Sequence, residues 1–144
     1  MNIKQLHDRD FNLWTEETRK ALENKDVNAI DWENLIEELA DMGASQKRAL
    51  RSYYYRLVEH ILKLRDWNEE IERNEIKWRV EVTNFRTSIQ DILDDSPSLK
   101  NYLEDNHLDW CNKVIKNYQK NPQFTLKNTD PIELDLMMNE DFYG

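Results

Sequence analysis

Residues 45–67 read SQKRALRSYYYRLVEHILKLRDW and form the longest amphipathic stretch of the chain. Apolar side chains recur there three or four positions apart, which is the spacing of one face of an α-helix. Ser45 suits the N-cap, because its hydroxyl can accept a backbone N–H of the first turn. The stretch therefore predicts a helix that ends near Trp67 and Asn68, with a basic outer surface and an apolar side of Leu50, Tyr54, Leu57, Ile61 and Leu64.

Two helices are predicted before this stretch. The first runs from about Asp8 or Asp10 to Asn24, with an aspartate at its N-terminus. The second begins at the cap Asp31 and ends at Gly43, placed as a left-handed C′ residue. The apolar stripe of this second helix is Trp32, Leu35, Ile36 and Leu39.

Three helices are predicted after the stretch. The first of them covers roughly residues 72–93. Ser96-Pro97 then combines an N-cap with a proline at the first helical position, which starts a helix that reaches about Lys120. Asp130-Pro131 repeats that signal before a short helix through about Met138.

The composition agrees with an all-α chain of one domain, residues 1–144. Its 144 residues include two glycines and three prolines, so few positions interrupt helices. We expect a compact bundle of about five main helices plus a short C-terminal helix, with residues 121–144 a loop followed by that helix. The spacing of the apolar residues allows every stripe to be buried within one chain.

The charge and the apolar runs limit the partners. A formal net charge of −9 repels nucleic-acid backbones. No apolar run approaches the roughly 20 residues of a membrane span, and no apolar leader follows the first residues. We therefore expect a cytoplasmic protein with no membrane association.

Metal and cofactor sites are not indicated. The Glu-x-x-His pattern of di-metal bundles occurs once, at Glu104–His107, where the chemistry needs two copies. His107 and Cys111 share a helix face but lack the further ligands that zinc requires. Gly-rich phosphate loops are absent, and we expect no metal and no cofactor.

One set of polar and aromatic residues is a candidate site. Glu37 or Glu38 beside His60 would allow acid–base chemistry, with the carboxylate raising the pKa of the imidazole. Two arginines would clamp an anion. The set comprises Glu37, Glu38, His60, Trp78, Arg79 and Arg86.

Several short motifs follow one another along nearly the whole chain: 10–14 with Glu16 or Glu17 and Thr18, 32–39 through Met42-Gly43, 59–63, Trp78-Arg79 with Arg86 downstream, and 95–99. Together, and in this order, they resemble the DUF29 family. This bacterial group is especially familiar from cyanobacteria. The resemblance implies a helical fold and a cytoplasmic bacterial protein but no established activity. The C-terminus departs from the family pattern, since Asp130-Pro131-Ile132 stands where a Cys-Pro-Tyr element is usual.

The sequence favours a non-enzymatic protein–protein interaction module with a protein partner, because no catalytic constellation is assembled. The alternative is an anion-binding, small-molecule or acid–base enzyme site built from the set above. A third option is nucleic-acid binding through the third and fourth predicted helices, where Arg73 and Lys77 join the basic surface. Assembly into a homo-oligomer stays open.

Overall fold

The computed structural model describes residues 2–144 and confirms an all-α fold. Within those residues there are six helices and no strand. Five helices have seven residues or more, and a short one follows near the C-terminus, so the number of helices matches the expectation although several of their boundaries do not. The helices are α1 (Ile3–Arg9), α2 (Phe11–Glu23), α3 (Trp32–Asp66), α4 (Asn68–Asp95), α5 (Leu99–Lys120) and α6 (Leu134–Met137).

The chain forms two compact units. Unit 1 ends at Ser45, and unit 2 is Gln46–Gly144. The expectation of one domain over residues 1–144 stays a prediction.

Unit 1 has a small core along one side of α2. The side chain of Asp10 accepts the backbone N–H of Leu13 at 3.0 Å, so the aspartate caps α2 as predicted. The indole N–H of Trp14 donates to the Asp31 carboxylate at 3.2 Å. Asp31 in turn accepts the backbone N–H of Asn34 at 3.4 Å and so caps α3. The buried apolar residues are Leu6, Trp14, Ala21 and Ile30.

The first residues hold a helix that the sequence pattern does not predict. Asn2 and Gln5 form a capping box at the start of α1. Asp10 both closes α1 and opens α2. Because α1 has only seven residues, its apolar period is too short to be read from spacing alone.

The prediction of a helix end at Gly43 is wrong, because α3 is continuous from Trp32 to Asp66. Gly43 does not adopt a positive φ, and Ser45 lies inside the helix instead of capping it. A helical glycine costs about 1 kcal/mol relative to alanine. That cost is smaller than the stabilisation from the backbone hydrogen bonds that a continuous α3 keeps. Met42 and Ala44, on either side of Gly43, are also good helix formers.

Unit 2 contains the larger core. The apolar face predicted for residues 45–67 is buried, with Leu50, Tyr54, Leu57 and Ile61 all fully covered. Apolar residues of α4, α5 and the C-terminal segment complete it. The buried residues from α4 onward are Trp78, Val82, Ile89, Leu99, Leu103, Trp110, Cys111, Val114, Ile115, Ile132 and Met137.

The prediction that Ser96 caps α5 is wrong. Ser96 is the C-cap of α4, and its hydroxyl accepts the side-chain amide of Gln46 at 2.8 Å. A residue before proline is pushed out of the helical region, and Ser96 has φ −135° and ψ 77°. One turn, closed by the Leu99 N–H donating to the Ser96 carbonyl at 2.9 Å, therefore precedes α5.

The short C-terminal helix begins later than Pro131. α6 covers only Leu134–Met137. Ile132 is buried in extended chain before it, and its backbone N–H donates to the Cys111 sulfur at 3.4 Å. Burying Ile132 against α5 therefore takes the place of the helical turn that the proline signal predicts.

Candidate functional site

The two predicted glutamates lie on α3 in unit 1 and have different surroundings. Glu37 is exposed. The Glu38 carboxylate lies 2.8 Å from Nε2 of His7, whose Nδ1 is 2.9 Å from the Asp8 carboxylate. The hydrogen bond to Glu38, and then that to Asp8, raises the pKa of His7 above its ordinary 6.5.

His60 does not have the predicted partner. Its Nε2 lies 2.5 Å from Oε2 of Glu81, on α4. Its Nδ1 lies 2.7 Å from the backbone carbonyl of Arg56, one turn earlier in α3. The carboxylate that pairs with His60 is therefore Glu81 instead of Glu37 or Glu38. Both ring nitrogens of His60 therefore have partners inside the chain.

Arg86 is buried on α4 and holds the C-terminal segment. Its Nε donates to the Met137 carbonyl at 2.7 Å, and Nη2 donates to the Phe142 carbonyl at 2.5 Å. The remaining terminal nitrogen, Nη1, is buried and has no hydrogen-bond partner within residues 2–144. Beyond this anchor, the backbone of Gly144 lies so close to α3 that a Cβ there would be 2.9 Å from the Ile61 carbonyl oxygen.

Arg79 and Trp78 also contact aromatic rings. The Arg79 guanidinium lies 4.1 Å from the ring centroid of Tyr143, in cation–π geometry. Trp78 is buried and stacks on Trp67, with ring centroids 5.8 Å apart. Thus α4 brings three predicted site residues into unit 2, where they pack against the core and the C-terminal segment.

A cleft of about 500 Å³ lies beside Arg86. Its hydroxyl and amide groups suit a small polar ligand, whereas its carboxylates oppose a free anion. The polar lining residues are Thr83, Arg86, Thr87, Gln90, Asp91, Glu140, Asp141 and Tyr143.

Several side chains of the predicted nucleic-acid surface are engaged within unit 2. Lys63 lies over the Trp78 ring, with Nζ 5.8 Å from the ring centroid. Arg65 donates two hydrogen bonds to the carboxylate of Asp66, at 2.8 and 2.7 Å. The ion pair with Asp66 offsets the charge of Arg65 and so reduces what this side chain offers a phosphate backbone.

The sequence pattern does not identify the most unusual surface of unit 1. Large apolar side chains at the start of α3 are exposed to solvent: Trp32 is 50% exposed, Ile36 63%, Leu39 59% and Met42 67%. We call Trp32, Ile36, Leu39, Met42 and Gly43 the α3 face. The expectation that every apolar stripe is buried within the chain is therefore wrong for this stripe.

Local contacts hold the α3 face in place. Besides the Asp31 cap, the Trp32 indole N–H donates to the Val27 carbonyl at 3.2 Å. At Gly43, a Cβ would have no atom within 4 Å apart from the adjacent residues and the nearby backbone of α3 itself. Gly43 is the one residue in the sequence that could have pointed to this surface. Its missing side chain is not needed to accommodate any other residue of the described chain.

The described residues form neither a membrane-spanning helix nor a metal-binding cluster. No helix in the described part of the chain combines the length and apolar character needed to cross a membrane. Across residues 2–144, no three or more His, Cys, Asp or Glu side chains are grouped so that they could hold a metal ion.

The comparisons with known proteins identify a family without adding an activity. Neither a curated protein nor a solved structure matches the chain. The model of the family described as "Domain of unknown function DUF29" matches residues 6–143. Since that match covers nearly all of the 144 residues, the resemblance predicted from the short motifs is confirmed, and the chain belongs to the DUF29 family.

Proposed function

We propose that this chain is a non-enzymatic interaction module, acting in the bacterial cytoplasm, that binds a protein partner through the α3 face. The observation that carries the proposal is the exposure of Trp32, Ile36, Leu39 and Met42, each at least half exposed. A contiguous apolar patch on a soluble protein is typical of an interaction site. Tryptophan and methionine are also enriched at protein interfaces.

The fixed geometry of the α3 face supports this role. Asp31 caps the helix, and the bond from Trp32 to the Val27 carbonyl restrains the indole. Binding to side chains that are already ordered loses less conformational entropy. The same exposed residues would add little to the stability of unit 1, since their side chains remain largely in water.

The contacts of the predicted polar set argue against an acid–base enzyme. His60 is engaged at both ring nitrogens, by Glu81 and by the Arg56 carbonyl. Arg86 directs two of its donors to backbone carbonyls. These contacts give the polar residues a role in holding unit 2 together.

The test is affinity capture from native lysate with a matched pair of variants. The first variant carries Ile36→Ser and Leu39→Ser. The control carries Ile76→Ser and Val80→Ser, because these α4 residues are also exposed, at 81% and 54%. Quantitative mass spectrometry compares the proteins retained by the wild type and by each variant.

The proposal predicts at least one protein that the wild type and the α4 control retain and the α3 variant loses. Circular dichroism should show the same helicity for all three chains. Equal retention by the two variants would contradict the proposal, and so would a failure of the wild type to retain anything above an untagged control.

Small-molecule binding is a second candidate, favoured by the cleft of about 500 Å³ beside Arg86. We place it second because Asp91, Glu140 and Asp141 oppose the anion that the arginines would attract. A thermal-shift screen with small carboxylic acids, amines and zwitterions tests it. A stabilising compound whose effect disappears in Arg86→Lys would favour it, and an unchanged melting temperature with all of them would remove it.

A further inference from the structure

The rows of side chains on the surface of α3 indicate what kind of partner would fit the α3 face. Side chains four residues apart form rows along a helix, and neighbouring rows border a groove. Trp32, Ile36 and Ala40 form one such row, and Leu39 and Gly43 belong to the next. Both rows are exposed, and the groove between them is suited to a row of side chains from another helix.

The small residues in this groove favour close approach by a helix. Gly43 has a helical conformation without a positive φ, and nothing lies within 4 Å of its absent Cβ. A glycine in the interior of a helix costs about 1 kcal/mol relative to alanine. Within the described residues, no packing contact offsets that cost. An external helix backbone crossing near Gly43 would use the space.

A row of acidic residues borders the apolar row. Glu33, Glu37 and Asp41 are four residues apart and are all exposed. Glu33 forms an exposed ion pair with Lys4 at 3.3 Å, whereas Glu37 and Asp41 have no ion-pair partner among residues 2–144. Like charges at this spacing repel each other on a helix, and cations from a partner would relieve the repulsion.

A second copy of the chain does not supply those cations to the row. If two α3 faces packed antiparallel, the same flanks would meet, and the acidic row of one copy would face the acidic row of the other. If they packed parallel, the acidic row would face the opposite flank, where Leu35, Glu38 and Met42 lie. Neither arrangement places a positive side chain on the acidic row, so charge complementarity favours a different partner.

Resting on the proposed function, we infer that the α3 face binds an amphipathic helix with a row of Lys or Arg beside its apolar side. The apolar side of that helix packs in the groove at Trp32, Ile36 and Leu39. Its basic row lies along Glu33 and Glu37. Recognition by an apolar groove of a helix with anchors at this spacing is an established binding mode, and the charged rows fix its orientation.

The experiment uses the full chain and three labelled helical peptides as probes. Each peptide has about 20 residues, enough to populate a helix, and the same leucine-rich apolar side. The residues flanking that side are Lys, Gln or Glu. Fluorescence anisotropy gives the Kd of each peptide at low and at physiological salt.

Two pairs of variants make the charge effect specific. Glu33→Gln with Glu37→Gln removes two charges from the acidic row. Asp105→Asn with Asp109→Asn is the matched control, because these α5 carboxylates are also exposed and four residues apart. It changes the net charge of the chain by the same amount.

We expect the Lys peptide to bind most tightly and the Glu peptide most weakly. Removing the charges of Glu33 and Glu37 should raise the Kd of the Lys peptide about 2- to 10-fold, as expected for two exposed ion pairs. The α5 control should leave it unchanged. Three results would overturn the inference. The Lys and Glu peptides would bind equally, the α5 control would have the same effect as the α3 variant, or no peptide would bind.

The outcomes separate this inference from the proposed function. If the Glu or Gln peptide binds as well as the Lys peptide and Ile36→Ser with Leu39→Ser abolishes that binding, the face binds helices but the basic partner is wrong. If the serine variant affects neither the peptides nor capture from lysate, the proposed function itself fails. Sedimentation of the chain alone tests the second copy: a dimer dissociated by the serine variant would overturn the inference.

Discussion

The imidazole of His7 links α1 to α3, because its Nε2 lies 2.8 Å from the Glu38 carboxylate. The ring also contacts Trp14 edge-on, with centroids 5.0 Å apart. His7 therefore contacts both the Glu38 carboxylate and Trp14 in the small core of unit 1. Protonation of His7 and the stability of unit 1 are therefore coupled.

The first prediction concerns pH. Hydrogen bonds to Glu38 and Asp8 raise the pKa of folded His7 above its ordinary 6.5. The folded state therefore holds this proton more tightly than the unfolded state. The stabilisation is complete below about pH 6.5, the unfolded pKa, and is lost as the pH rises through the higher folded pKa.

NMR titration of the histidine ring, with hydrogen exchange of the α1 amides, measures both effects. Glu38→Gln should lower the pKa of His7 and reduce the pH dependence of α1 exchange. Glu37→Gln is the control, since that carboxylate is exposed and not bonded to His7. Identical titration curves for the two variants would contradict the assignment.

The second prediction concerns Gly43. Because the helix continues through it and a Cβ would meet no atom within 4 Å, Gly43→Ala should stabilise the chain by about 0.5–1 kcal/mol. Urea denaturation measures this change. A helix end at a left-handed Gly43 would give the opposite sign, so destabilisation by alanine would contradict the continuous α3. The same methyl group should weaken partner binding by filling the groove.

The third prediction concerns Arg86. Arg86→Met keeps an apolar stem of similar length but removes the donors to the Met137 and Phe142 carbonyls. Two hydrogen bonds from a charged group are lost, so unit 2 should lose about 2–4 kcal/mol of stability. Arg79→Met, which removes the cation–π contact with Tyr143, should cost about 0.5–1 kcal/mol.

Urea denaturation followed by circular dichroism gives the two free energies of unfolding. The predicted order, with Arg86 the more costly to replace, follows from the burial of its guanidinium and the exposure of Arg79. Equal losses from the two replacements would mean that the carbonyl contacts of Arg86 do not anchor the C-terminal segment.

The fourth prediction concerns the thiol of Cys111. Burial raises its pKa, although the hydrogen bond from the Ile132 N–H acts in the opposite direction. A buried thiol with a raised pKa contains little thiolate and reacts slowly. Alkylation followed by mass spectrometry should therefore show protection in the native chain and rapid labelling in denaturant. Fast native labelling would contradict the packing of Ile132 on α5.

The sequence predicted the fold class and the core of unit 2 because apolar spacing reports helix faces directly. Leu50 and Tyr54 lie on one such face and are buried. Trp32 and Ile36 have the same spacing but are exposed. Their exposure could not be predicted, because spacing identifies an apolar side of a helix but not what covers it. Gly43 could not be assigned from sequence either, because a glycine suits both a helix end and a site of close approach.

The contacts of the candidate site residues could not be predicted from the sequence. Arg79 and Arg86 are seven residues apart and so share one face of α4, where both guanidinium groups lie over the Tyr143 ring. The partners of His60 and Arg86 come from residues far away in sequence, Glu81 in one case and the Met137 and Phe142 carbonyls in the other. Such pairings depend on how helices pack, and neither composition nor local spacing specifies them.

The fifth prediction separates surface from core on α3. Ile36→Ser with Leu39→Ser should change the free energy of unfolding by no more than about 0.5 kcal/mol per site, as for other exposed positions. The same change at a buried leucine such as Leu57 should cost about 2–5 kcal/mol. A comparable loss at both places would mean that the α3 face is part of a core.

The most direct test of partner binding is photo-crosslinking in living cells from single positions of the chain. A photoreactive phenylalanine analogue replaces Ile36 in one chain and Ile76, the exposed α4 control, in the other. The account predicts a discrete crosslinked protein from position 36 that is lost when Leu39→Ser is added, and none from position 76. No crosslink from position 36, or the same products from both positions, would contradict the claim that the α3 face binds a protein partner.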